Sequence, residues 1–290
     1  MITEGYLLRH SLGRSGGRDI ALLDVAQDYA LKLLHDHGIF DLGVVLKGGT
    51  SLRKFRAGNA GRFSTDLDFA TPDADVAEFV VDTLDGADLF GIRIRVADRE
   101  RLRGRLRFET PLGPIKIAAK LELSPRPLWL PTPAMIPITL PVHKGYEFSL
   151  PALPLPTLEE AISEKLAAWR RRRKIRDLYD LHWFAQGAFD EPLVRRLFVL
   201  KVWHDVVEDG LGHSPLDPAD AVADVDLRRL PPEDIGLLTQ PVEPEAWLCS
   251  IRARYGFLTE VDEEEQRVAT CSPGDRDLVG KLVAALTSVP

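Results

Sequence analysis

Apolar residues recur at helical spacing in two early segments of the chain. From Asp19 they repeat every three or four residues, which predicts a helix that ends at Gly38. A second helical pattern follows Pro72 and covers residues 75–84. Residues 1–18 are polar and rich in glycine, so we expect them to form a loosely held lead-in.

Shorter apolar runs predict the strands of a sheet. The runs are residues 43–46, 65–70, 92–96, 106–109 and 115–123. In the last run apolar and polar residues alternate, which places Glu122 on the face opposite the leucines. Residues 50–55, between the first two runs, fit one or two helical turns.

A proline-rich segment separates this first part from a helical second part. Nine prolines fall within residues 124–156, and their density excludes a helix and favours extended edge segments and a linker. A capping box, with Thr157 as N-cap and Glu160 as the third helical residue, then predicts a helix start. Further helices are predicted up to Gly187 and over residues 193–207, 245–258 and 275–287. The sequence thus predicts an α/β (α+β) domain over residues 1–150 and a mainly helical domain over residues 151–290.

Composition limits the class of protein without naming a function. The 290 residues carry a net charge of −7, which argues against a protein that coats nucleic acid but not against a local basic groove. No apolar run is long enough to span a membrane, and the first residues lack the pattern of a signal peptide. Cys249 and Cys271 fit no metal-binding pattern, so we expect a cytoplasmic protein that makes no membrane contact.

Two aspartates in the second predicted strand give the strongest chemical signal. Asp66 and Asp68 are separated by one residue, so their carboxylates are expected on the same face of the strand. Two carboxylates about 7 Å apart repel by roughly 2–3 kcal/mol at an effective dielectric of 20, and a cation would relieve that repulsion. Mg²⁺ binds through one or two carboxylates and substrate phosphates, and Glu122 is a candidate third ligand if its strand lies nearby. A solvated edge strand is the alternative interpretation.

The glycine pair ahead of these aspartates predicts a phosphate cradle. Gly48 and Gly49, followed by Thr50 and Ser51, would let the backbone approach an anion at a helix start. A simple turn after a strand would show the same residues.

The second part of the chain offers further charged candidates, each with a plain structural alternative. Lys165 lies on the apolar face of its predicted helix. It is either a lysine that extends its ammonium from that face to solvent or a cation that binds triphosphate oxygens. Asp177 is either a site residue or a helix partner of Arg173, and Asp180 a partner of Arg176. Five consecutive cations form either a solvated face or a grip for a nucleic-acid backbone: Arg170, Arg171, Arg172, Arg173 and Lys174.

Taken in order, four motifs resemble the DNA polymerase β-like nucleotidyltransferase superfamily, and more closely the AbiEii/AbiGii toxin family with its MenT members. The motifs are Leu-Lys-Gly-Gly-Thr-Ser-Leu at residues 46–52, Gly-Arg-Phe-Ser-Thr-Asp-Leu-Asp-Phe at 61–69, Glu-Lys-Leu-Ala-Ala at 164–168 and Arg-Asp-Leu-Tyr-Asp-Leu at 176–181. In the wider superfamily a serine often stands where this chain has Gly49, and the spacing to Asp66 is long.

The resemblance implies roles for individual residues. Asp66, Asp68, Lys165 and Asp177 would be catalytic, and Asp66 and Asp68 would bind the metal. The nucleotide would be held by Lys47, Gly48, Gly49, Thr50, Ser51, Arg62 and Ser64. Apart from the resemblance, Ser64 and Thr65 are candidate phosphorylation sites because their hydroxyls lie beside the aspartates. A phosphate there would add a charge of about −2 where a nucleotide must bind.

The resemblance also implies a fold and an activity. We expect a polymerase β-like mixed sheet with flanking helices and a C-terminal helical domain that completes a cleft. We expect transfer of a nucleoside monophosphate from an NTP to RNA, at the tRNA 3′ acceptor end, with Mg²⁺ as cofactor and translation blocked. The expected partners are RNA and an AbiEi-like winged-helix antitoxin, and we expect a monomer. Alternatives are a protein or aminoglycoside-like acceptor, or a non-catalytic binding module with a decayed site.

Overall fold

The computed structural model describes residues 2–14, 16–126, 128–223 and 225–286. Its helices are α1 (Glu4–His10), α2 (Gly17–Asp36), α3 (Gly48–Leu52), α4 (Ala74–Leu84), α5 (Leu158–Arg172), α6 (Ile175–Phe184), α7 (Glu191–Val207), α8 (Pro244–Arg254), α9 (Glu263–Ala269) and α10 (Arg276–Leu286). Its strands are β1 (Val45–Lys47), β2 (Asp66–Ala70), β3 (Asp88–Leu89), β4 (Ile92–Glu100), β5 (Arg103–Thr110), β6 (Gly113–Pro114), β7 (Ala119–Ser124), β8 (Ala134–Met135) and β9 (Leu153–Pro154). The predicted mixed α/β class is confirmed.

The chain forms two compact units. The first unit comprises Met1–Leu128, Thr132–Leu155 and Gly236–Pro241, and the second comprises Trp129–Pro131, Pro156–Ile235 and Val242–Pro290. The sequence-based division at residue 150 therefore falls five residues early and misses the return of Gly236–Pro241 to the first unit. One bond of that return runs from the Phe63 backbone N–H to the Leu237 carbonyl oxygen, at 2.9 Å.

A mixed sheet lies at the centre of the first unit. The strand order is β1-β2-β7-β5-β4-β3, and β6 pairs with β5. β2 and β7 run parallel, whereas the other neighbouring strands run antiparallel. Residues Leu67, Phe69, Leu106 and Leu121 alternate along the central strands and are 0 % exposed. They join a core with α2 and α4, so the opposite face of the sheet carries the charged residues.

α2 packs against this core along most of its length. Leu23, Ala30 and Leu34 are fully buried, as the helical period predicts. After the helix ends, Gly38 adopts a left-handed φ of 69°, which costs glycine little. The helix predicted from Asp19 to Gly38 is confirmed within two residues at each end.

The predicted loose lead-in is wrong. α1 occupies this segment, Leu7 is 0 % exposed, and the His10 ring lies 2.7 Å from the Asp24 carboxylate. A seven-residue helix is too short to show a clear period, and its main anchor is a buried polar pair. Ser15, part of the same prediction, lies outside the described residues.

The proline-rich segment forms extended edges as predicted, but it is not a linker. β8 and β9 pair antiparallel, and Leu153 and Leu155 are buried in the core of the first unit. A short 3₁₀ turn at Pro141–Gly145 is its helical part. Pro127 lies outside the described residues.

The second unit is helical, and its first helix begins where the sequence predicts. The Thr157 side chain caps α5 by accepting a hydrogen bond from the Glu160 backbone N–H at 3.3 Å. Only this half of the capping box forms. The Glu160 carboxylate instead accepts bonds from the backbone N–H groups of Trp129 and Leu130, each at 2.9 Å.

The later helices match the predicted ones, with one addition. α9 is too short to be recognised from its period. The last predicted helix runs to Leu286, and residue 287 lies outside the described part of the chain. Within that part, no helix has both the length and the apolar character needed to cross a membrane.

Buried charges tie α2 to the segment that follows β1. The Asp24 carboxylate, 3 % exposed, lies 3.0 Å from the Lys54 ammonium and 3.4 Å from the Arg53 guanidinium, besides its contact with His10. Lys54 also pairs with Asp28 at 2.7 Å. Burial alone would raise the pKa of Asp24, but the charges of Lys54 and Arg53 outweigh it and hold that pKa well below its ordinary value.

The Asp24→Asn substitution is expected to lower the free energy of unfolding by about 3–5 kcal/mol at pH 7, because the buried Arg53 loses its anion and the buried Lys54 keeps only Asp28. Since the pKa of Asp24 is lowered on folding, the wild-type advantage is present above about pH 4 and is lost as the pH falls through the folded pKa. Urea unfolding at pH 7 and pH 3 measures both effects. The control Glu4→Gln breaks an exposed pair with Arg18 and should cost less than about 1 kcal/mol. An Asp24→Asn protein as stable as wild type at pH 7 would contradict the account.

Candidate active site

The end of β1 and the start of α3 lie against β2. Lys47, the last residue of β1, is in register with Asp68 of β2. Gly48 then begins α3, which continues into a π-helix over Arg53–Ala57. The buried Thr50 hydroxyl donates a hydrogen bond to the carbonyl oxygen of Asp66. This bond fixes the helix start beside the two aspartates.

Gly48 and Gly49 allow two side chains to approach the helix start. The φ of Gly48 is 75°, and a Cβ at this position would overlap the Asp68 carboxylate. A Cβ at Gly49 would overlap the Arg62 guanidinium and lie 3.0 Å from the Ser64 Oγ. Glycine is therefore required at 48 for backbone conformation and space, and at 49 for space alone.

Asp66 and Asp68 share one face of β2. Leu67 and Phe69, on the other face, are 0 % exposed, which confirms the predicted alternation. Both aspartates are partly buried, and the Thr65 hydroxyl donates to the Asp66 carboxylate at 3.2 Å. β2 has a hydrogen-bonded neighbour on each side, so the edge-strand alternative is wrong.

Glu122 lies beside Asp68 on the neighbouring strand. In the parallel pairing of β2 and β7, Asp68 is opposite Glu122 and Asp66 is opposite Lys120. Lys120 and Glu122 form a salt bridge. Burial works to raise the pKa of Glu122, but the hydrogen bond from Lys120 and the charge of Arg103 outweigh it and lower that pKa. Glu122 is thus bonded to Lys120 and, on its other side, shares a hydrogen bond with Asp68.

The chemistry of this donor set fits a hard divalent cation. Two carboxylates share a sheet face, and glycine leaves room for Asp68 against the helix start. Among the described residues, no three His, Cys, Asp or Glu side chains are grouped as a ready ligand set. The pair Asp66 and Asp68 therefore suits Mg²⁺, which completes its shell with water and substrate phosphates. Glu122 as a third ligand stays a prediction.

The other residues predicted to hold the nucleotide fall into two groups. The hydroxyls of Thr50 and Ser51 donate to backbone carbonyls, that of Ser51 at 2.9 Å within α3, so they brace the helix start. Arg62 and Ser64 are 6 % and 4 % exposed and lie against Gly49. Arg62 is thus the charged group of this set that lies against the glycine pair.

The two candidate phosphorylation sites differ in accessibility. Ser64 is buried, and its carbonyl oxygen accepts a hydrogen bond from the Gln27 side chain at 3.1 Å. Thr65 is partly exposed. Thr65 is therefore the more accessible hydroxyl, and modification of either residue stays a prediction.

In the second unit, Lys165 and Asp177 belong to one ion-pair cluster. The Lys165 ammonium lies 2.7 Å from Asp180 and 3.6 Å from Asp177, and both aspartates are 0 % exposed. Arg172 holds both carboxylate oxygens of Asp177, each at 2.7 Å. Burial works to raise the pKa of Asp177, but Arg172 and Lys165 outweigh it and lower that pKa. The alternative pairing of Asp177 with Arg173 is wrong.

The arginine run at the end of α5 is not a row of free cations. Arg170 is 5 % exposed and donates to two carbonyl oxygens, and Arg171 pairs with Asp205 at 2.8 Å. Arg172 is held by Asp177, Arg173 stacks on Trp169 and donates to the Asp220 carbonyl, and Lys174 pairs with Asp234. Successive residues at a helix end point in different directions, so each cation meets a different partner. Each of the five cations thus has a partner within the protein, and the RNA-binding role of Arg170, Arg171, Arg172, Arg173 and Lys174 stays a prediction.

Two cations near the carboxylates were not singled out from the sequence. Lys120 is two residues from Glu122 in a predicted strand, so their shared face was available as a signal. Arg103 gave no such signal, because its position opposite Glu122 depends on the register of β5 against β7.

Comparisons with known proteins identify the family. A family model described as "Nucleotidyl transferase AbiEii toxin, Type IV TA system" matches residues 32–265. The solved structure of MenT4, a nucleotidyltransferase toxin from Mycobacterium tuberculosis H37Rv, is 47 % identical to this chain with a TM-score of 0.95. The alignment covers 99 % of this chain and 100 % of that chain.

Two Helicobacter pylori structures are more distant. One, a putative nucleotidyltransferase, is 23 % identical with a TM-score of 0.46 and covers 82 % of this chain and 93 % of its own. The other, JHP933, is 22 % identical with the same TM-score and covers 92 % and 97 %. No curated protein matches the chain in sequence.

The family match and the full-length similarity to MenT4 agree with the motif-based prediction of an enzyme that transfers nucleotides. The chain belongs to the AbiEii family, the nucleotidyltransferase toxins of type IV toxin–antitoxin systems.

Proposed function

We propose that this toxin transfers a nucleoside monophosphate from an NTP to the 3′ end of an RNA, a tRNA acceptor end, and thereby blocks translation. The observation that carries the proposal is the carboxylate pair Asp66 and Asp68 beside the glycine pair at the start of α3. Family membership implies an antitoxin partner. We propose that this partner is an AbiEi-like winged-helix protein and that the toxin acts as a monomer in the cytoplasm, where tRNA and NTPs occur.

Asp66 and Asp68 would hold Mg²⁺, and Glu122 would assist them. When bound, Mg²⁺ neutralises charge on the phosphates and lowers the pKa of the attacking hydroxyl. Glu122 would act as a third ligand or as a general base, and the β7 register keeps its carboxylate beside Asp68 in either case.

The glycine pair and the neighbouring cations would bind the triphosphate. Gly48 and Gly49 leave the backbone open to an anion, and positive charge would come from Arg62, which lies against Gly49, and from Lys47, which precedes Gly48. Thr50 and Ser51 hold the helix start in place through their bonds to backbone carbonyls.

The reaction is an in-line displacement at phosphorus. The 3′-hydroxyl oxygen of the acceptor forms a bond to the α-phosphorus, and the bond from that phosphorus to the bridging oxygen breaks. Pyrophosphate leaves with the bonding electrons, and the hydroxyl proton passes to solvent. Most of the rate enhancement in such reactions comes from positioning and charge stabilisation, which is what this set of side chains offers.

Lys165 and Asp177 are proposed as further residues needed for transfer. Ion pairs with Asp180 and Asp177 fix the direction of the Lys165 ammonium, and Arg172 in turn fixes Asp177. A lysine held in this way presents its ammonium as a fixed point charge, which is the form in which lysine binds phosphate.

Asp66→Asn and Asp68→Asn are each expected to lower transfer at least about a hundredfold, because either change removes a metal-binding charge. The assay uses NTPs labelled at the α-phosphate, Mg²⁺ and total RNA. The matched control Asp41→Asn changes an exposed aspartate of the first unit and should retain full activity. Equal transfer by Asp66→Asn and wild type would sink the proposal.

The same assay separates the possible acceptors. Label on RNA from α-labelled but not γ-labelled NTP is the expected result, because the α-phosphate stays with the transferred nucleotide. Label that appears only on protein or on an aminoglycoside would identify that molecule, and not RNA, as the acceptor. No label on any acceptor, with no Mg-NTP binding by calorimetry, would indicate a non-catalytic module.

Gly48→Ala is expected to abolish transfer, because its Cβ would displace the Asp68 carboxylate. Gly86→Ala is the matched control, since Gly86 has a φ of 80° and no atom within 4 Å of a Cβ. Both variants lose about 1–2 kcal/mol of stability to the left-handed backbone. Activity assays beside thermal unfolding separate the two effects. Full activity in Gly48→Ala would contradict the proposed role of Asp68.

Lys165→Arg tests whether Lys165 acts on the substrate or only neutralises its aspartates. Arginine keeps the charge but not the shape of the ammonium, so transfer should fall about tenfold or more. Thermal unfolding should change little, because Asp177 and Asp180 keep a cation. Wild-type kinetics in Lys165→Arg would assign the residue a structural role.

A further inference from the structure

One segment of the chain is strongly basic although the whole chain is acidic. Residues 92–107 hold seven arginines against one aspartate and one glutamate, a local charge of +5 in a chain of net charge −7. These residues form β4, β5 and the turn that joins them. The strands bring the arginines together in a way that the linear sequence does not.

The pleat of the strands sorts these arginines onto one face. Along β5, Arg103, Arg105 and Arg107 are exposed, whereas Leu106 between them is in the core. The antiparallel register of β4 and β5 places Arg95 directly opposite Arg107. All four therefore lie on the side of the sheet that faces away from the core.

This face is continuous with the aspartate pair. β5 pairs with β7 so that Arg105 is opposite Lys120 and Arg103 is opposite Glu122. Lys120 is in turn opposite Asp66 on β2. Neighbouring strands lie about 4.8 Å apart, so Arg105 is about 10 Å from Asp66 across the sheet. We call Arg95, Arg103, Arg105, Arg107 and Lys120 the arginine face.

Away from Glu122, which forms a salt bridge with Lys120 and lies opposite Arg103, the arginine face is poorly neutralised by the protein itself. Arg105 lies 3.6 Å from Asp98, but both side chains are about two-thirds exposed, so this pair is weak. In the described part of the chain, the side chains of Arg95 and Arg107 make no hydrogen bond or ion pair. Like charges directly opposite each other destabilise an antiparallel pair. The fold gains nothing from this arrangement, and an anion would relieve it.

The chemistry of the face favours a chain of phosphates. Its guanidinium groups match phosphate oxygens in shape and retain their charge at any physiological pH. An NTP has only three phosphates to place beside the aspartates, whereas this face extends over three strands. A polyanion whose end must reach Asp66 and Asp68 can contact the whole of the arginine face.

We propose that the arginine face binds the sugar-phosphate backbone of the acceptor RNA and leads its 3′ end toward Asp66 and Asp68. This rests on the proposed function, transfer to RNA, and adds the surface that binds the acceptor. The binding is independent of base sequence, because backbone contacts carry no sequence information.

The test compares two double variants that each remove two exposed positive charges. Arg95→Gln with Arg107→Gln is expected to weaken binding of fluorescein-labelled total tRNA about tenfold or more and to reduce the salt slope of log K by about 1.5. The matched control, Arg228→Gln with Arg229→Gln, changes arginines whose side chains are 91 % and 84 % exposed in the second unit, and it should bind as wild type does. In steady-state transfer the KM for RNA should rise while kcat and the KM for NTP stay unchanged.

A charge reversal separates binding from folding. Arg107→Glu replaces a repulsive pair with an attractive one opposite Arg95, so its melting temperature should equal or exceed that of wild type while tRNA binding falls. Unchanged affinity and salt slope in the double variant, or an equal loss in the control, would overturn the inference. If the double variant binds tRNA as wild type does but no longer binds an acidic protein, the arginine face is the binding surface for that protein instead.

The inference and the proposed function fail in different ways. Binding is measured without NTP, so it does not depend on transfer. If the wild-type protein labels RNA and the double variant has the same KM for RNA, only the inference about the arginine face is overturned. A wild-type protein that labels no RNA overturns the proposed function.

Discussion

The Asp68 carboxylate lies so close to the α-carbon of Gly48 that no side chain fits between them. The antiparallel register of β1 and β2 fixes this approach, because Lys47, opposite Asp68, is the residue before the glycine. The bond from Thr50 to the Asp66 carbonyl fixes the second aspartate in the same way. Two like charges are thus held together by backbone pairing, and a divalent cation with a triphosphate is the ligand that such a pair fits.

The sheet that places these carboxylates also sorts the charges around them. Alternation along β2, β7 and β5 sends every second side chain into the core and collects the charged ones on one face. The carboxylates of Asp66 and Asp68 lie on β2, and the row of guanidinium groups begins on β5, two strands away. In the second unit, by contrast, cations are matched with anions, as in Arg172 with Asp177 and Lys174 with Asp234. A basic run in the sequence and a basic surface in the fold are therefore different things.

The sequence predicted features that depend on local periodicity. The shared face of Asp66 and Asp68 follows from the strand period alone, and α2 follows from its apolar stripe. It did not predict α1, whose seven residues are anchored by the buried contact of His10 with Asp24. The sequence places Glu122 beside Asp68 only if their strands are neighbours, and it does not show which strands pair.

The surroundings of both groups of basic residues depend on partners distant in sequence, which cannot be read from it. Arg170 through Lys174 form one run, but residues such as Asp205 and Asp234 neutralise it. Arg95 and Arg107 are separated by a turn and by apolar residues, and they form one surface only when β4 and β5 pair. Register, which the sequence does not display, decides both cases.

The central claim is that Asp66 and Asp68 hold the catalytic metal, and a crystal structure with Mn²⁺ and a non-hydrolysable NTP analogue tests it most directly. The account predicts an anomalous difference peak within bonding distance of both carboxylates, with the triphosphate against Gly48 and Gly49. The peak should disappear in Asp68→Asn crystals grown in the same way. A peak at other carboxylates, or one unchanged by Asp68→Asn, would contradict the account.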